Sequence, residues 1–413
     1  MDNQDSLVVR AVCLLHHLPY QQQLQLKKTN HEELVSRLHR VSGQSGPVRS
    51  VRPVLPSPDT EEYRARDRFS LGLDPAGRLE VGFHLGGRAN GVTTVSPQAV
   101  PIIRPAHKAV AALYQQFLAT SPLAASWYQG SGAGWRPGYW SELMVRSTST
   151  GQLLVKVGLA PGEEPEPGLA TQEHARLCDQ LAGAGLGVAS IWLGGTAGPG
   201  RINKLLFGPE ELEDELGGVR MLVGPDTFTQ VNPGATTLLL RAVEAAVRPG
   251  PHRTLLDLCC GAGMFSLYLG GQFRGCLGLD REDTGPATRA ASLNLANNCR
   301  YQTGSIAMLA PGLVRELGQV GAAVSAVLNP GRQGVEQSAV VALRRLPLLD
   351  TLVYISCQPE DQRVLANMAL LVAQDRKGTP TRLSSKPFRL VDSCAIDMFP
   401  HTPHCEHIFV FRR

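Results

Sequence analysis

The sequence predicts an α/β protein, with a parallel-sheet domain in the carboxyl-terminal half and a mostly β domain before it. Three observations carry that reading. The apolar runs TLLDLCCG, GCLGLDRE, AAVSAVLNPG and LVYISCQP, spread from residue 254 to 359, are separated by helical stretches, as buried parallel strands with crossover helices are. From about residue 63 to 160 apolar and polar residues instead alternate in YRARDRFSLGL, LEVGFHLG, GVTTV, YWSELMVRS and GQLLVKVGL, a pattern of short strands with glycine-bearing turns. Finally, 413 residues with 43% hydrophobic and 18% charged side chains suffice for two or three domains, and no run approaches the ~18–20 apolar residues a membrane helix needs.

In chain order, residues 1–44 read as a helical segment. Its stretch LPYQQQLQLKKTNHEELVSRLHRV, residues 18–41, has apolar positions at mixed three and four spacing, as one or two amphipathic helices would. A loop marked by Gly43, Gly46, Pro47, Pro53, Pro56 and Pro58 follows. Residues 45–225 form the mostly β domain, whose best helical candidate is HKAVAALYQQFLA at 107–119. The character changes near 225, and residues 226–413 form the parallel-sheet domain.

The formal net charge of +4 permits a polyanionic partner without demanding one. Nine scattered cysteines with no CxxC pair argue against a disulfide scaffold and for a reducing compartment. The same scatter leaves no thiolate framework for an iron–sulfur cluster. MDNQDSLVVRAVCLL carries Asp2 and Asp5 and reads as neither a signal peptide nor a transit peptide, so the expectation from this stretch is cytosol or nucleus, or a targeting segment outside this chain.

LLDLCCGAGMF is a hydrophobic strand ending in an acid, then a turn with Gly261 and Gly263, then a helix start. Such a turn lets a ligand approach the backbone closely and meet free helix amides. Asp280 ends the next strand 17 residues past Gly263, where a carboxylate accepts hydrogen bonds from ribose hydroxyls; its plainer reading is a helix-capping carboxylate. A dinucleotide fingerprint would place glycine where Ser266 stands, and Asp257 before the turn is commoner in S-adenosylmethionine sites, so a methyl donor is favoured over nicotinamide.

Cys357 falls at the carboxyl end of a central strand stopped by Pro359, the edge at which doubly wound sheets bind ligands. A lone cysteine is ordinarily a packing residue, but this one is expected at the rim of the crevice that Gly261 and Asp280 line. In DMFPHTPHCEH, residues 397–407, the cluster of His401, His404, Cys405 and His407 invites zinc, yet two prolines and the opposed directions of His404 and Cys405 argue against it. In YRARDRF, strand alternation puts Arg64, Arg66 and Arg68 on one face suited to phosphates, or on an ordinary solvated one.

Taken in order, DTFTQVNPGA, LDLCCGAG, VLNPGRQG, YISCQP and DMFPHTPHCEH closely resemble the tRNA and rRNA uracil-5-methyltransferase family over residues 220–413, with a weaker match from YRARDRF to VGFH. The resemblance implies a Rossmann-like S-adenosylmethionine-dependent methyltransferase domain behind a mostly β RNA-binding domain. It implies Cys357 as nucleophile, Glu406 as proton acceptor, and Gln230, Cys259, Gly261, Gly263, Asp280 and Asn329 at the donor site. One departure stands out: the family usually has Asp-Pro-Pro-Arg where this chain has Asn329-Pro330-Gly331-Arg332. That variant looks most like the animal mitochondrial branch, so the resemblance points to the mitochondrion. The implied partner is tRNA or rRNA, with S-adenosylmethionine, no metal and no iron–sulfur cluster, no membrane, and a monomeric enzyme. The alternative is a catalytically weak RNA-binding protein that keeps the fold. A cytosine-5 enzyme is disfavoured because no Pro-Cys dipeptide occurs.

Overall fold

The computed structural model describes residues 2–42, 51–85, 92–130, 134–162, 165–197, 200–346, 348–374 and 386–413; Gly43, Gly46 and Pro47 of the anticipated loop lie outside them. Contacts gather the chain into two compact units that interleave along the sequence. One comprises residues 1–18, 59–214 and 223–233, the other 19–58, 215–222 and 234–413. The helical start is therefore divided: helix Asp2–Val12 belongs to the first unit and helix Tyr20–Ser42 to the second. Residues 215–222 join the second because Leu216, Val219 and Met221 are buried with Leu239, Leu240 and Val243.

In the first unit a seven-stranded sheet is ordered Thr93–Val95, Leu79–Leu85, Arg66–Leu73, Trp140–Ser147, Leu153–Leu159, Val188–Ala197 and Gly200–Phe207. Neighbours are antiparallel except Leu153–Leu159 and Val188–Ala197, which helix Pro167–Ala182 connects as a parallel crossover. The helix anticipated at 107–119 runs Pro105–Thr120, and its Val110, Tyr114 and Phe117 are buried against Trp140 and the sheet. The three arginines of YRARDRF do not share a face. The strand begins only at Arg66, and Arg64 turns to the Asp67 carboxylate, its Nε 2.6 Å from Oδ1. Asp67 also binds His107 Nδ1 at 2.7 Å, so its buried charge draws Arg64 out of the alternation. Arg146 is buried opposite Arg66 and donates to the Thr227 carbonyl, tying down segment 223–233.

In the second unit the seven strands are ordered Cys299–Thr303, Phe273–Asp280, Gly250–Leu258, Val324–Leu328, Leu349–Ser356, Glu406–Arg412 and Arg389–Ile396. The first five run parallel, and Glu406–Arg412 is inserted antiparallel between Leu349–Ser356 and Arg389–Ile396. This is the doubly wound, Rossmann-like architecture expected of the second half. The order reverses beside Gly250–Leu258, and such switch points open a crevice at the carboxyl ends of the strands. Among the described residues no helix is long and apolar enough to cross a membrane.

Helix Tyr20–Ser42 was expected to bury apolar residues along its length. Its buried stripe instead changes chemistry halfway. Gln23, Lys27 and His31 are buried in the first half and Leu34, Val35 and Leu38 in the second, all on one face at three and four spacing. The apolar half enters the core of the sheet beside Phe388, Leu390 and Phe409.

Tyr301 shapes the glycine turn from below. A Cβ at Gly278 would lie 2.4 Å from the Tyr301 ring and one at Gly263 2.7 Å from its hydroxyl, so both positions must lack a side chain for the ring to fit. We therefore expect Gly278→Ala to destabilise the protein by ~1–3 kcal/mol through overpacking, read as a lower denaturation midpoint at unchanged m-value; an unchanged midpoint would mean the ring moves freely.

Candidate active site

Seven of the eight residues singled out in the sequence stand in the second unit, six at the carboxyl ends of its parallel strands and Glu406 at the start of the antiparallel strand that reaches the same edge. Gln230 is buried in the first unit, on segment 223–233. Paired positions fix the order along the rim. Leu258 is level with Leu279 on one side and Leu328 on the other, and Leu328 with Tyr354. The rim therefore carries, in turn, Asp280, the Cys259–Gly263 turn, Asn329, Cys357 and Glu406.

The turn at the first end is sharply wound. Cys259, Gly261 and Gly263 have φ of +60°, +52° and +82°, and the strain at Cys259 is confined to a single non-glycine residue. Asp280 holds the turn: Oδ2 accepts the Gly261 amide at 2.8 Å and Oδ1 the Glu282 amide at 3.0 Å. Asp257, fully buried behind it, accepts the Ser266 amide at 2.9 Å and is pushed up to about 6, chiefly by burial. Ser266, in the place of a third glycine, caps the turn from the helix: Oγ donates to the Gly263 carbonyl at 3.0 Å and lies 3.0 Å from the Tyr301 hydroxyl. Burial pushes the Cys259 thiol up to about 12, so this residue contributes backbone rather than a thiolate. Space is open above Gly261, where an added Cβ would meet nothing within 4 Å. An open glycine turn gripped by a strand-end carboxylate suits an adenosine ligand.

The other end brings Cys357 and Glu406 together. Ser356 is opposite His407 across the antiparallel pair, so one step outward Cys357 faces Glu406. Glu406 is also opposite Ile396, and is thus enclosed on both sides. The residue is 3% exposed and no side-chain partner for its carboxyl is found among the described residues; burial pushes it up to about 8. Cys357 is half-buried. Burial raises its thiol, the Glu406 carboxylate adds to the rise, and Arg332 opposes both by charge and hydrogen bond. Arg332 follows Asn329, whose amide is anchored to the Leu258 carbonyl at 3.1 Å. The thiol is thus neither sealed in packing nor already ionised: it stands between a carboxyl that resists charge and a guanidinium that favours it.

The histidines of the 397–407 segment are otherwise engaged. His404 is exposed, Cys405 is buried, His401 bonds Gln23 and His407 bonds His31. No group of three His, Cys, Asp or Glu among the described residues is placed to hold a metal. The sequence reading missed the partners of this segment, because Gln23, Lys27 and His31 belong to types that ordinarily face water.

No family model matches the chain. It is 30% identical over 426 residues to the tRNA (uracil-5-)-methyltransferase homolog B of Danio rerio, covering 98% of this chain and 86% of that protein. It is 29% identical over 427 residues to the Homo sapiens protein of the same name, covering 98% and 83%. Among solved structures it is similar to the Pyrococcus abyssi tRNA (uracil-54, C5)-methyltransferase in complex with S-adenosyl-L-homocysteine, at TM-score 0.65 and 19% identity, covering 98% of this chain and 86% of that one. At that identity the likeness speaks to the fold.

The Glu406 carboxyl gives a stability prediction with a definite sign. With a folded value near 8 against an ordinary 4.5, the folded chain keeps a proton that the unfolded chain releases, so stability is lost as pH rises from about 4.5 to 8. Glu406→Gln removes that loss. The melting temperature of the variant should exceed that of the native chain by a margin that widens from pH 5 to 8; a margin independent of pH would show that the carboxyl is not held protonated.

Proposed function

The chain belongs to the tRNA (uracil-5-)-methyltransferase family, and we propose that it methylates C5 of uridine in structured RNA, using S-adenosylmethionine and a transient covalent bond from Cys357 to C6 of the ring. One observation supports this most: a thiol just past the end of Leu349–Ser356 and a buried carboxyl, without a side-chain partner among the described residues, face each other across adjacent antiparallel strands, at the same sheet edge as an open glycine turn.

The dimensions agree with the chemistry. Four interstrand steps separate Asp280 from Glu406, roughly 19 Å at ~4.8 Å each, enough for a nucleoside donor at one end and a pyrimidine at the other. Asp280, Gly261 and Gly263 would hold the adenosine end, with Cys259 lending its backbone and Asn329 standing between donor and ring. When bound, S-adenosylmethionine supplies an electrophilic methyl group.

Uracil C5 is a poor nucleophile until C6 is attacked. Addition of the Cys357 thiolate to C6 converts the ring to an enolate with electron density at C5, dividing one hard step into easier ones. Arg332 assists by favouring the thiolate. After C5 has taken the methyl group it carries both that group and its original hydrogen. Glu406 removes the hydrogen as a proton, the C5–C6 double bond re-forms and the Cys357 sulfur leaves. A carboxyl with a raised pKa is a stronger base once ionised than an exposed glutamate, which suits it to a carbon-bound proton. The target uridine must leave its stack to reach this rim.

The T-loop uridine of tRNA is the substrate this reading favours, with a loop of mitochondrial ribosomal RNA as the other; the Asn329-Pro330-Gly331-Arg332 variant supports a mitochondrial site of action. Asn329 also favours a second reading. Replacing an acid by an amide between donor and ring removes a negative charge, as expected of a protein that holds RNA with little catalysis.

Single-turnover transfer of labelled methyl to uridine-containing tRNA separates the two. The native chain should transfer and Cys357→Ala should fall to background while binding RNA as before; equal transfer by both, or none by either, would contradict the proposal. Glu406 acts after methyl transfer, so the rate at which the methylated adduct releases RNA in a single turnover should climb with pH and level off above about 8; a release rate flat from pH 6 to 9 would remove Glu406 from the role of base.

A further inference from the structure

The Tyr20–Ser42 helix meets the 397–407 segment through polar contacts that are fully buried. Gln23 grips His401 twice: Oε1 accepts the His401 amide at 2.9 Å and Nε2 donates to His401 Nδ1 at 3.1 Å. His401 has φ of +66°, a conformation that a histidine holds only under constraint, and this bidentate contact supplies one. Four residues on, Lys27 Nζ lies 2.6 Å from Asp397 Oδ1 and 3.1 Å from the Phe399 carbonyl, with both ionic side chains fully buried. Asp397 in turn accepts the Phe399 amide at 3.2 Å. Four residues further, His31 Nδ1 lies 2.9 Å from His407 Nδ1. Burial keeps both rings neutral, lowering His31 to about 4 and His407 to about 3, so one nitrogen donates and the other accepts.

Three contacts at i, i+4 and i+8 thus fasten one helix face to the strained bend of this segment, to its first residue and to the strand that follows it. Glu406 lies inside that span, next to His407, and among the described residues no side-chain partner orients it. Its placement is therefore inherited from the backbone on either side. A buried ion pair is a weak source of stability, because well-packed apolar side chains often serve as well, and is better suited to fixing a register.

We propose that Gln23, Lys27 and His31 are positioning residues for the proton-transfer step, the Tyr20–Ser42 helix acting as a splint that aims the Glu406 carboxyl across the sheet rim at the ring held by Cys357. This rests on the role of Glu406 as the base. A splint that slackens leaves addition to C6 and methylation of C5 intact, but delays removal of the C5 proton. The methylated ring then stays bonded to Cys357, an outcome that general loosening of the fold does not produce.

The experiment uses the full chain with labelled S-adenosylmethionine and a tRNA transcript, comparing the native protein with Gln23→Leu, His31→Phe and His31→Gln, and with Glu406→Gln as reference. Gln23→Leu and His31→Phe should lower kcat by about tenfold or more, with kcat/KM for donor and RNA within about twofold of native, because methyl transfer precedes the slowed step. Both should accumulate a denaturant-stable protein–RNA adduct carrying the methyl label. His31→Gln, whose amide can still bond His407, should restore most of the rate and clear the adduct. A folded Gln23→Leu or His31→Phe with native kcat, or a loss of rate without adduct, would overturn the proposal. Should these two not fold, Gln23→Glu, which keeps the acceptor for the His401 amide but loses the donor to Nδ1, decides by the same adduct reading: a folded variant with neither slowed release nor adduct counts against the proposal. Normal turnover by Glu406→Gln would overturn the base itself, and so identifies a failure of the underlying reading rather than of the splint.

Discussion

The antiparallel insertion of Glu406–Arg412 between two strands that run the other way is the constraint on which the proposed site depends. A purely parallel sheet presents only strand ends at its carboxyl edge. By threading the last strand backwards, the chain brings a strand beginning to that edge, level with the end of Leu349–Ser356. The pairing of Ser356 with His407 then fixes Cys357 and Glu406 as neighbours. A slip of one residue would turn the carboxyl to the opposite face of the sheet. Phe409 and Phe411, buried in the core along the same strand, make such a slip costly.

Burial does the electrostatic work at this edge. A carboxyl enclosed between two strands, with no side-chain partner among the described residues, resists ionisation, so it is a stronger base once charged and a burden on the fold above pH 4.5. Placing that burden beside a thiol raises the thiol too, and Arg332 moderates it from the neighbouring loop. At the far end the logic is reversed. Asp280 spends its charge on two backbone amides and so stiffens a turn whose glycines leave room for a ligand.

Much of this arrangement was legible in the residues. Uninterrupted apolar runs marked the parallel strands, Gly261 and Gly263 marked the turn, and Pro359 marked where the strand bearing Cys357 stops. The pairing of Cys357 with Glu406 was not legible from spacing, since 48 intervening residues say nothing about strand order; only family resemblance suggested it. The splint was hidden for a different reason. Gln, Lys and His at helical spacing describe a solvated face unless a partner loop is already known, and the loop lies more than 360 residues away. The arginine face of YRARDRF failed because a buried Asp67 offers Arg64 a closer partner than solvent. Contacts also interleave the two units where the chain had suggested consecutive segments, because a hairpin at 215–222 buries its apolar face in the second unit.

The central claim is that one sulfur atom and one carboxyl act on a single uracil ring, and a tRNA with 5-fluorouridine at its uridines tests it most directly. Fluorine cannot leave C5 as a cation, so Glu406 has no proton to take and the reaction must halt with the methylated ring still bonded to sulfur. Mass spectrometry of the digested protein should find the methylated fluorouridine nucleotide on the peptide containing Cys357, and only when S-adenosylmethionine is present. Release of free RNA with no adduct, or the nucleotide on any of the other eight cysteines, would contradict the account.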